Sequence, residues 1–127
     1  MAISHRIEDG IIHSAVEGTF TADDVRAHRT AVRNDSAYSP MLPRLIDCRE
    51  MSTLLPTSDL KALAAELQMT QLETAVRGRY AILVSSDVAF GIARMYGAFV
   101  QDALLDLLVF RNADEAVAWL RDAHRAP

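Results

Sequence analysis

The sequence predicts an open α/β sheet whose elements follow the order β-β-α-β-α-β-α-β-α. Short apolar runs, which are typical of strands, alternate with longer segments in which apolar residues recur every three or four positions, as on one face of a helix. Parallel strands joined through helices form right-handed crossovers. We therefore expect a mainly parallel sheet formed by the second to fifth strands, with the first strand antiparallel at one edge.

Length and composition restrict the classes of protein to consider. The chain has 127 residues, half of them hydrophobic, and a formal charge of −4 from 17 acidic and 13 basic side chains. This length favours a single domain over residues 1–127, large enough to bury about two-thirds of its surface without a disulfide or a metal. The basic residues are spread along the chain, so nucleic acid is not an expected partner.

Cysteine content and the N-terminus indicate the cellular compartment. Cys48 is the single cysteine and has no partner for an internal disulfide, which favours a reducing compartment. The first residues contain neither a basic leader followed by an apolar run nor a stretch long enough to span a bilayer. We therefore expect a cytoplasmic protein that does not insert into a membrane.

The chain opens with a predicted β-hairpin. Residues Ile3 to Glu8 and Ile11 to Glu17 are β-type runs, and Asp9 and Gly10 between them suit a type I′ turn. Gly18 ends the second strand.

The first helix is predicted over about Ala22 to Asn34. Thr19 or Thr21 can cap it, and Asp23 and Asp24 place negative charge at the positive end of its dipole. The predicted start of this helix follows from the end of the second strand at Gly18 and from these capping residues.

Three further strands are predicted from short apolar runs between polar residues. They are Leu45 to Cys48, which stops at a charged pair, Tyr80 to Val84, and Leu107 to Phe110. Each is followed by residues that can begin a helix, so each strand leads into the next helix of the predicted order.

The remaining three helices are predicted from their capping residues and apolar spacing. Helix two follows Pro56 with Thr57 or Ser58 as its cap. Its apolar stripe is formed by Leu60, Leu63, Ala64 and Leu67. Helix three begins after Ser85-Ser86-Asp87 and runs to about Gln101, and helix four begins at Asn112 with Glu115 three residues later.

Polar residues cluster where the predicted parallel strands end. In open α/β sheets, loops at the carboxyl ends of the strands line the usual ligand crevice. Asp47, Arg49 and Ser85 lie at these ends, and we expect them to line a polar site there. An ion pair of Asp47 with Arg49 or Arg94 is the simpler interpretation. Because no base is placed beside it, Cys48 is expected to be a small buried residue, and no catalytic residue is assigned.

The predicted third helix is apolar on nearly all sides. Ala89, Ala93 and Gly97 form a small-residue ridge that suits close packing on the sheet. The larger residues around it are left for another role. Two functional interpretations, a self-association surface or the wall of a pocket for an apolar ligand, stand beside the simpler one of a packed core helix. The candidate binding residues on this helix are Phe90, Arg94, Met95, Tyr96 and Phe99.

Motifs for metals, cofactors and common enzyme classes are absent from the sequence. The four histidines, which are His5, His13, His28 and His124, show none of the spacings typical of a metal site. Phosphate-binding loops, dinucleotide fingerprints and the Gly-x-Ser-x-Gly elbow are also missing, so no metal or cofactor is expected. His28 lies on the apolar stripe of helix one, where a hydrogen-bonded core histidine is the ordinary interpretation and a ligand contact the alternative.

Four segments carry a family resemblance: the opening hairpin, Leu45 to Glu50, Phe90 to Tyr96, and Val109 to Leu120. They resemble the SpoIIAA-like proteins, which are small stand-alone relatives of STAS domains. The resemblance covers nearly the whole chain and implies a STAS-like fold, which is also similar to lipid-binding CRAL-TRIO modules. It implies a regulatory or binding role of the bacterial type and supplies no enzyme class.

The best understood STAS proteins are anti-sigma factor antagonists phosphorylated on a serine in an Asp-Ser-Ser-Gly-like loop. The corresponding stretch here, Thr53 to Leu60, lacks that pattern. Thr57 and Ser58 stand where the hydroxyl would be, as candidate phosphate acceptors at a helix start, while simple capping is the ordinary interpretation of both residues.

Two functional hypotheses follow. The first is a non-enzymatic regulatory or binding domain that acts through a protein partner, a homodimer contact, or a small apolar, lipid-like ligand. The alternative is a small enzyme of unknown reaction that uses Asp47, Arg49, Ser85 and Asp87 at the carboxyl ends of the strands, which requires convergent titratable groups in a pocket.

Overall fold

A computed structural model describes residues 2–74, 78–101 and 106–122 and has the predicted order of elements. The strands are β1 Ile3–Glu8, β2 Ile11–Gly18, β3 Arg44–Met51, β4 Tyr80–Leu83 and β5 Leu107–Phe110. The helices are α1 Ala22–Arg33, α2 Thr57–Thr74, α3 Asp87–Val100 and α4 Ala113–Asp122.

The five strands form one sheet in the order β1-β2-β3-β4-β5. β1 is antiparallel to β2 at the edge, and every other neighbouring pair is parallel, as predicted. The hairpin turn has left-handed backbone at both central residues, with φ of 54° at Asp9 and 74° at Gly10, which is what a type I′ turn requires.

The two faces of the sheet carry different helices. Side chains alternate along each strand, so residues of odd number in β3 and β4 share one face and residues of even number the other. Leu45 and Leu83 pack with Ala116 and Leu120 of α4. On the opposite face, Ile82 packs with Ala93 of α3.

This distribution follows from the strand order. Each βαβ crossover is expected to be right-handed, and successive crossovers that move in the same direction along a sheet place their helices on the same face. α1, α2 and α3 therefore cover one face, and α4 returns over the other. Because the order never reverses, the sheet has no topological switch point, which is the feature that opens a crevice at the carboxyl edge of doubly wound folds.

Three of the four predicted helix caps are present, at Thr21, Ser86 and Asn112. Thr21 begins α1 with a capping box, in which its backbone N–H donates to Asp24 Oδ2 at 2.9 Å and its Oγ1 accepts from the Asp24 backbone at 3.2 Å. Ser86 caps α3 through a bond from the Ala89 backbone at 3.1 Å. Both helices carry acidic residues in the first turn, where they complement the dipole.

The predicted cap of α2 is wrong. The helix begins at Thr57, and the Pro56 carbonyl accepts the first intrahelical bond from the Leu60 backbone at 3.1 Å. Pro56 therefore occupies the N-cap position, where its missing N–H has no cost because no intrahelical partner exists there. Thr57 and Ser58 lie inside the first turn, and both are exposed.

Asn112 caps α4, and its removal is expected to destabilise the domain. Its Oδ1 accepts from the Glu115 backbone at 3.0 Å, which satisfies one of the free N–H groups at the helix start. We expect Asn112→Ala to lower the free energy of unfolding by about 1 kcal/mol, and Asn112→Asp to restore most of that loss. Urea denaturation of the three proteins measures the effect, and equal stability of the alanine variant and the wild type would contradict it.

Candidate functional site

A cavity of about 160 Å³ lies on the sheet face covered by α1, α2 and α3. Its floor is formed by the even-numbered residues Arg44, Ile46 and Cys48 of β3, Tyr80 and Ile82 of β4, and Val84 directly after β4. Val25 of α1, Leu63 of α2 and Ile92 of α3 contribute to the opposite wall. Closely packed cores leave few voids larger than a water molecule, so a space of this size is unusual for a small domain.

Small side chains create the space. Ser14, Cys48, Ala89 and Ala93 line it at positions where a larger aliphatic residue would fill it. The segment between β3 and α2 covers one part of the rim with Leu54 and its neighbours, and Leu54 remains 43% exposed. The lining is thus mostly apolar, with a limited set of polar groups.

The third helix lies on the sheet as its small-residue ridge predicts. Ala89 and Ala93 are buried, and a Cβ added to Gly97 would meet the Leu107 side chain at 3.1 Å. Ile92 and Tyr96 line the cavity. The structure therefore contains an apolar cavity of the kind that the ligand-binding interpretation of this helix requires.

Two arginines lie at one end of the cavity. Arg44 is 8% exposed, and its guanidinium stacks on the Tyr80 ring at 5.1 Å from the centroid. Within the described part of the chain, its Nε has no hydrogen-bond partner. Arg29 donates to the Leu63 carbonyl at 3.1 Å and to the Tyr96 hydroxyl at 2.9 Å.

Neutral polar groups accompany these cations. The His28 ring and the Ser14 hydroxyl are hydrogen-bonded at 2.8 Å, which agrees with the ordinary interpretation of a bonded core histidine. Burial, followed by the positive charges of Arg44, His5 and Arg29, lowers the pKa of His28 to about 4. Burial also raises the pKa of Tyr96, so this phenol is uncharged at neutral pH.

The lowered pKa of His28 predicts a loss of stability in mild acid. The unfolded chain takes up a proton below the ordinary pKa of 6.5, whereas folded His28 resists protonation down to about 4. The free energy of unfolding therefore falls as the pH drops through this window, by about 2 kcal/mol for a partly exposed ring. Urea denaturation at pH 7.5 and pH 4 should show a smaller decrease for His28→Gln than for the wild type. Equal decreases would contradict the prediction.

The predicted polar residues at the carboxyl ends lie apart from the cavity, on the exposed edge. Asp47 and Arg49 form the expected ion pair at 2.9 Å, and the Ser85 hydroxyl donates to the Arg49 carbonyl at 3.3 Å. The hydrogen bond from Arg49 lowers the pKa of Asp47, so its carboxylate is charged and paired at neutral pH. Asp87 pairs instead with Arg111 at 2.6 Å.

The Cys48 thiol is held in its neutral form. Burial, with a smaller contribution from the Asp47 charge, raises the pKa of Cys48 to about 12. A nucleophilic cysteine needs the thiolate, so this environment suits the inert packing role expected for it.

The other candidate residues of α3 divide between the core and the surface. Phe99 packs against a core cluster that includes Leu67 and Val100. Phe90 packs against the core cluster that includes Ile82. Two guanidinium groups lie over its ring, that of Arg111 at 4.6 Å and that of Arg94 at 6.0 Å from the ring centroid. Met95 is half-buried. Of the candidates on this helix, Tyr96 alone lines the cavity.

Arg29 and Arg44, at one end of the cavity, were not among the candidate residues predicted from the sequence. Arg44 precedes Ile46 and Cys48 at two-residue spacing, so the sequence could have shown that the three side chains lie on one face of the strand. A charged residue on a buried face is unusual and therefore informative. Arg29 gives no comparable signal. Its approach to Tyr96, which is 67 positions away, depends on where α1 and α3 are placed on the same face of the sheet.

Metal-ligand clusters and membrane-spanning helices are both absent from the described residues. No group of three or more histidine, cysteine or acidic side chains is arranged there to hold a metal ion. Within the same ranges, no helix combines the length and the apolar character needed to span a bilayer. His5 bonds to Asp35 at 3.0 Å, while His124 lies outside the described residues.

Comparisons with known proteins agree on the fold. The SpoIIAA-like family model matches residues 11–121. One similar crystal structure is that of an uncharacterized protein of the DUF3478 family with a SpoIIAA-like fold, from Shewanella loihica PV-4. It shares 18% identity with this chain, with a TM-score of 0.60 over 94% of this chain and 92% of that one. No curated protein matches the sequence.

Proposed function

The chain belongs to the SpoIIAA-like family, and from this premise we propose that it is a non-enzymatic binding domain whose cavity holds a small apolar ligand. The observation that carries the proposal is the cavity of about 160 Å³ beneath the three helices. An engineered cavity of about 150 Å³ lined by aliphatic and aromatic side chains takes up benzene. The space therefore fits a ligand portion of about six to ten carbon atoms.

The position of the cavity allows a bound ligand to affect the surface segment that leads into α2. Its wall includes Thr53, Leu54 and Leu55 of the segment that leads into α2, and this segment also reaches the exposed residues Thr57 and Ser58. A ligand beneath it changes the packing of a surface segment that a protein partner can contact. Ligand occupancy and phosphate acceptance at Thr57 or Ser58 would then act on the same surface.

The competing enzyme hypothesis has weaker support. Asp47 and Asp87 are each paired with an arginine, so neither is poised as a general acid or base. Burial holds the thiol of Cys48 in its neutral form, which is not the nucleophilic form. The titratable groups therefore favour binding over catalysis.

Native mass spectrometry of the freshly purified protein tests the proposal. We expect a noncovalent mass excess from a small molecule that is lost on denaturation, or uptake of 1-octanol by the emptied protein with one-to-one stoichiometry. A protein that carries no adduct and takes up none of this probe would contradict the proposal.

The same spectrum tests the protein-contact alternative. Val88 on α3 is 61% exposed, and Met95, seven positions later on the same side of the helix, is half-buried. This supports a contact with a second copy or another protein. A dimer mass that Val88→Glu abolishes would favour this alternative.

The cytoplasmic setting is part of the proposal and is supported by the buried thiol of Cys48, which has no partner for an internal disulfide.

A further inference from the structure

The cavity is electrostatically asymmetric along the strands. Arg44 and Tyr80 are paired in register near the amino ends of β3 and β4, whereas Cys48 and Val84 line the cavity near the carboxyl ends. Cys48 lies four positions after Arg44 on β3, which corresponds to about 13 Å. One end of this elongated space is therefore cationic and the other is apolar.

Positive charge at the cationic end is not balanced by the lining. No acidic residue occurs among the described residues that line the cavity. Arg29 donates to the Tyr96 hydroxyl, and Tyr96 packs against the core cluster that includes Tyr80, the ring on which the Arg44 guanidinium stacks. Glu66 contributes negative charge near Arg29, but its carboxylate is bonded to Arg26 at 2.9 Å.

Arg44 is the most informative of these groups. A buried guanidinium without a counter-charge is costly, and buried polar atoms are nearly always hydrogen-bonded. Arg44 is 8% exposed and lines the cavity, and its Nε is unpartnered within the described ranges. The Tyr80 ring attracts the cation from its face but offers no acceptor in the guanidinium plane.

We infer that the ligand of this cavity is a medium-chain carboxylate, with its alkyl chain along β3 and its carboxylate at the guanidinium of Arg44 beside that of Arg29. This inference rests on the proposed function and adds the chemistry of the head group. A carboxylate accepts two parallel N–H bonds from one arginine, which would satisfy Nε of Arg44. The neighbouring hydroxyl groups of Ser14 and Tyr96 offer further donors.

Four octyl compounds that differ only in the head group test the inference: octanoate, 1-octanol, octylamine and octyl phosphate. Isothermal titration of the wild type at pH 7.5 should show octanoate binding at least about tenfold more tightly than 1-octanol, and octylamine more weakly than both. Tighter binding of octyl phosphate than of octanoate would overturn the assignment of a carboxylate in favour of a phosphate.

Arg44→Met tests the named residue, because methionine keeps an apolar stem of similar length without the charge. Octanoate should lose its preference over 1-octanol in this variant, while 1-octanol itself should bind at least as well as in the wild type. Arg121→Met, on the exposed face of α4, is the control and should keep the preference. Replacing a buried charge with an apolar side chain is often tolerated, so Arg44→Met should fold. The comparison of the four octyl compounds on the wild type tests the head group independently of this variant.

The outcomes separate this inference from the proposed function. If none of the octyl compounds binds, the cavity is not a ligand site and both proposals fail. If 1-octanol binds as tightly as octanoate, or if Arg44→Met keeps the preference, the assigned head group is wrong while the apolar cavity stands as a binding site.

Discussion

Replacing Gly78 with alanine is expected to lower the free energy of unfolding by about 3 kcal/mol or more, or to prevent folding. Gly78 is buried just before β4, and a Cβ added to it would overlap the backbone carbonyl of Leu42 and approach the nitrogen of Pro43. These neighbours are main-chain atoms, which cannot rotate away as a flexible side chain does.

The surrounding hydrogen bonds prevent a small backbone shift from relieving the overlap. Gly78 donates its N–H to the Pro40 carbonyl at 3.4 Å, and the next residue along, Arg79, accepts from the Arg44 backbone at 2.8 Å. Moving the Gly78 backbone away from Leu42 therefore disturbs the start of the β3–β4 pairing. The same pairing holds Arg44 at the cationic end of the cavity, so binding should weaken together with stability.

Gly91→Ala is the matched control, because it makes the same chemical change in an open position. Nothing lies within 4 Å of a Cβ added to Gly91, which is exposed on α3. Alanine is favoured over glycine inside a helix by about 0.5–1 kcal/mol, so this variant should be more stable than the wild type. Urea denaturation followed by circular dichroism measures both variants. A Gly78→Ala protein as stable as the wild type would contradict the close approach of the Gly78 and Leu42 backbones.

Filling the cavity is expected to abolish ligand binding. Ile92 of α3 lines the cavity and is half-buried, so the larger indole of Ile92→Trp would occupy the space that an alkyl chain needs. We expect the affinity for 1-octanol to fall at least about tenfold, which corresponds to about 1.4 kcal/mol of binding free energy. Isothermal titration with this neutral probe measures the effect independently of the head group.

Val88→Trp is the control for this substitution. Val88 lies one turn earlier on the same helix, is 61% exposed and is not part of the cavity lining. It should bind 1-octanol as the wild type does, and circular dichroism should show that both variants are folded. Unchanged affinity in a folded Ile92→Trp protein would mean that the probe binds elsewhere.

Local patterns predicted most of the fold. The Asp9-Gly10 pair, the Thr21 capping box and the Asn112 cap each depend on residues within a few positions, so the sequence displays the whole interaction. The cap of α2 was wrong because Pro56, Thr57 and Ser58 are all acceptable at a helix start, and the choice between adjacent residues depends on the approach of the preceding loop.

The candidate site was only partly predictable. Small residues on α3 indicated its close packing on the sheet, because their helical spacing is visible in the sequence. A pocket wall was one of three interpretations of the larger apolar residues around them. The convergence of Arg29 and Arg44 was not predictable, since it depends on how α1 and the sheet meet in space. The expectation of a crevice at the carboxyl edge came from doubly wound folds, whereas this strand order runs in a single direction.

Methyl NMR of the wild type titrated with 1-octanol tests the central claim most directly, because it reports both binding and its location. We predict saturable shifts for the methyl groups of Ile46, Ile82 and Leu63, which line the cavity, with little change for Leu83 and Leu120 on the α4 face. Saturable shifts confined to the α4 face, or no saturable shift at any methyl group, would contradict the assignment of this cavity as the ligand site.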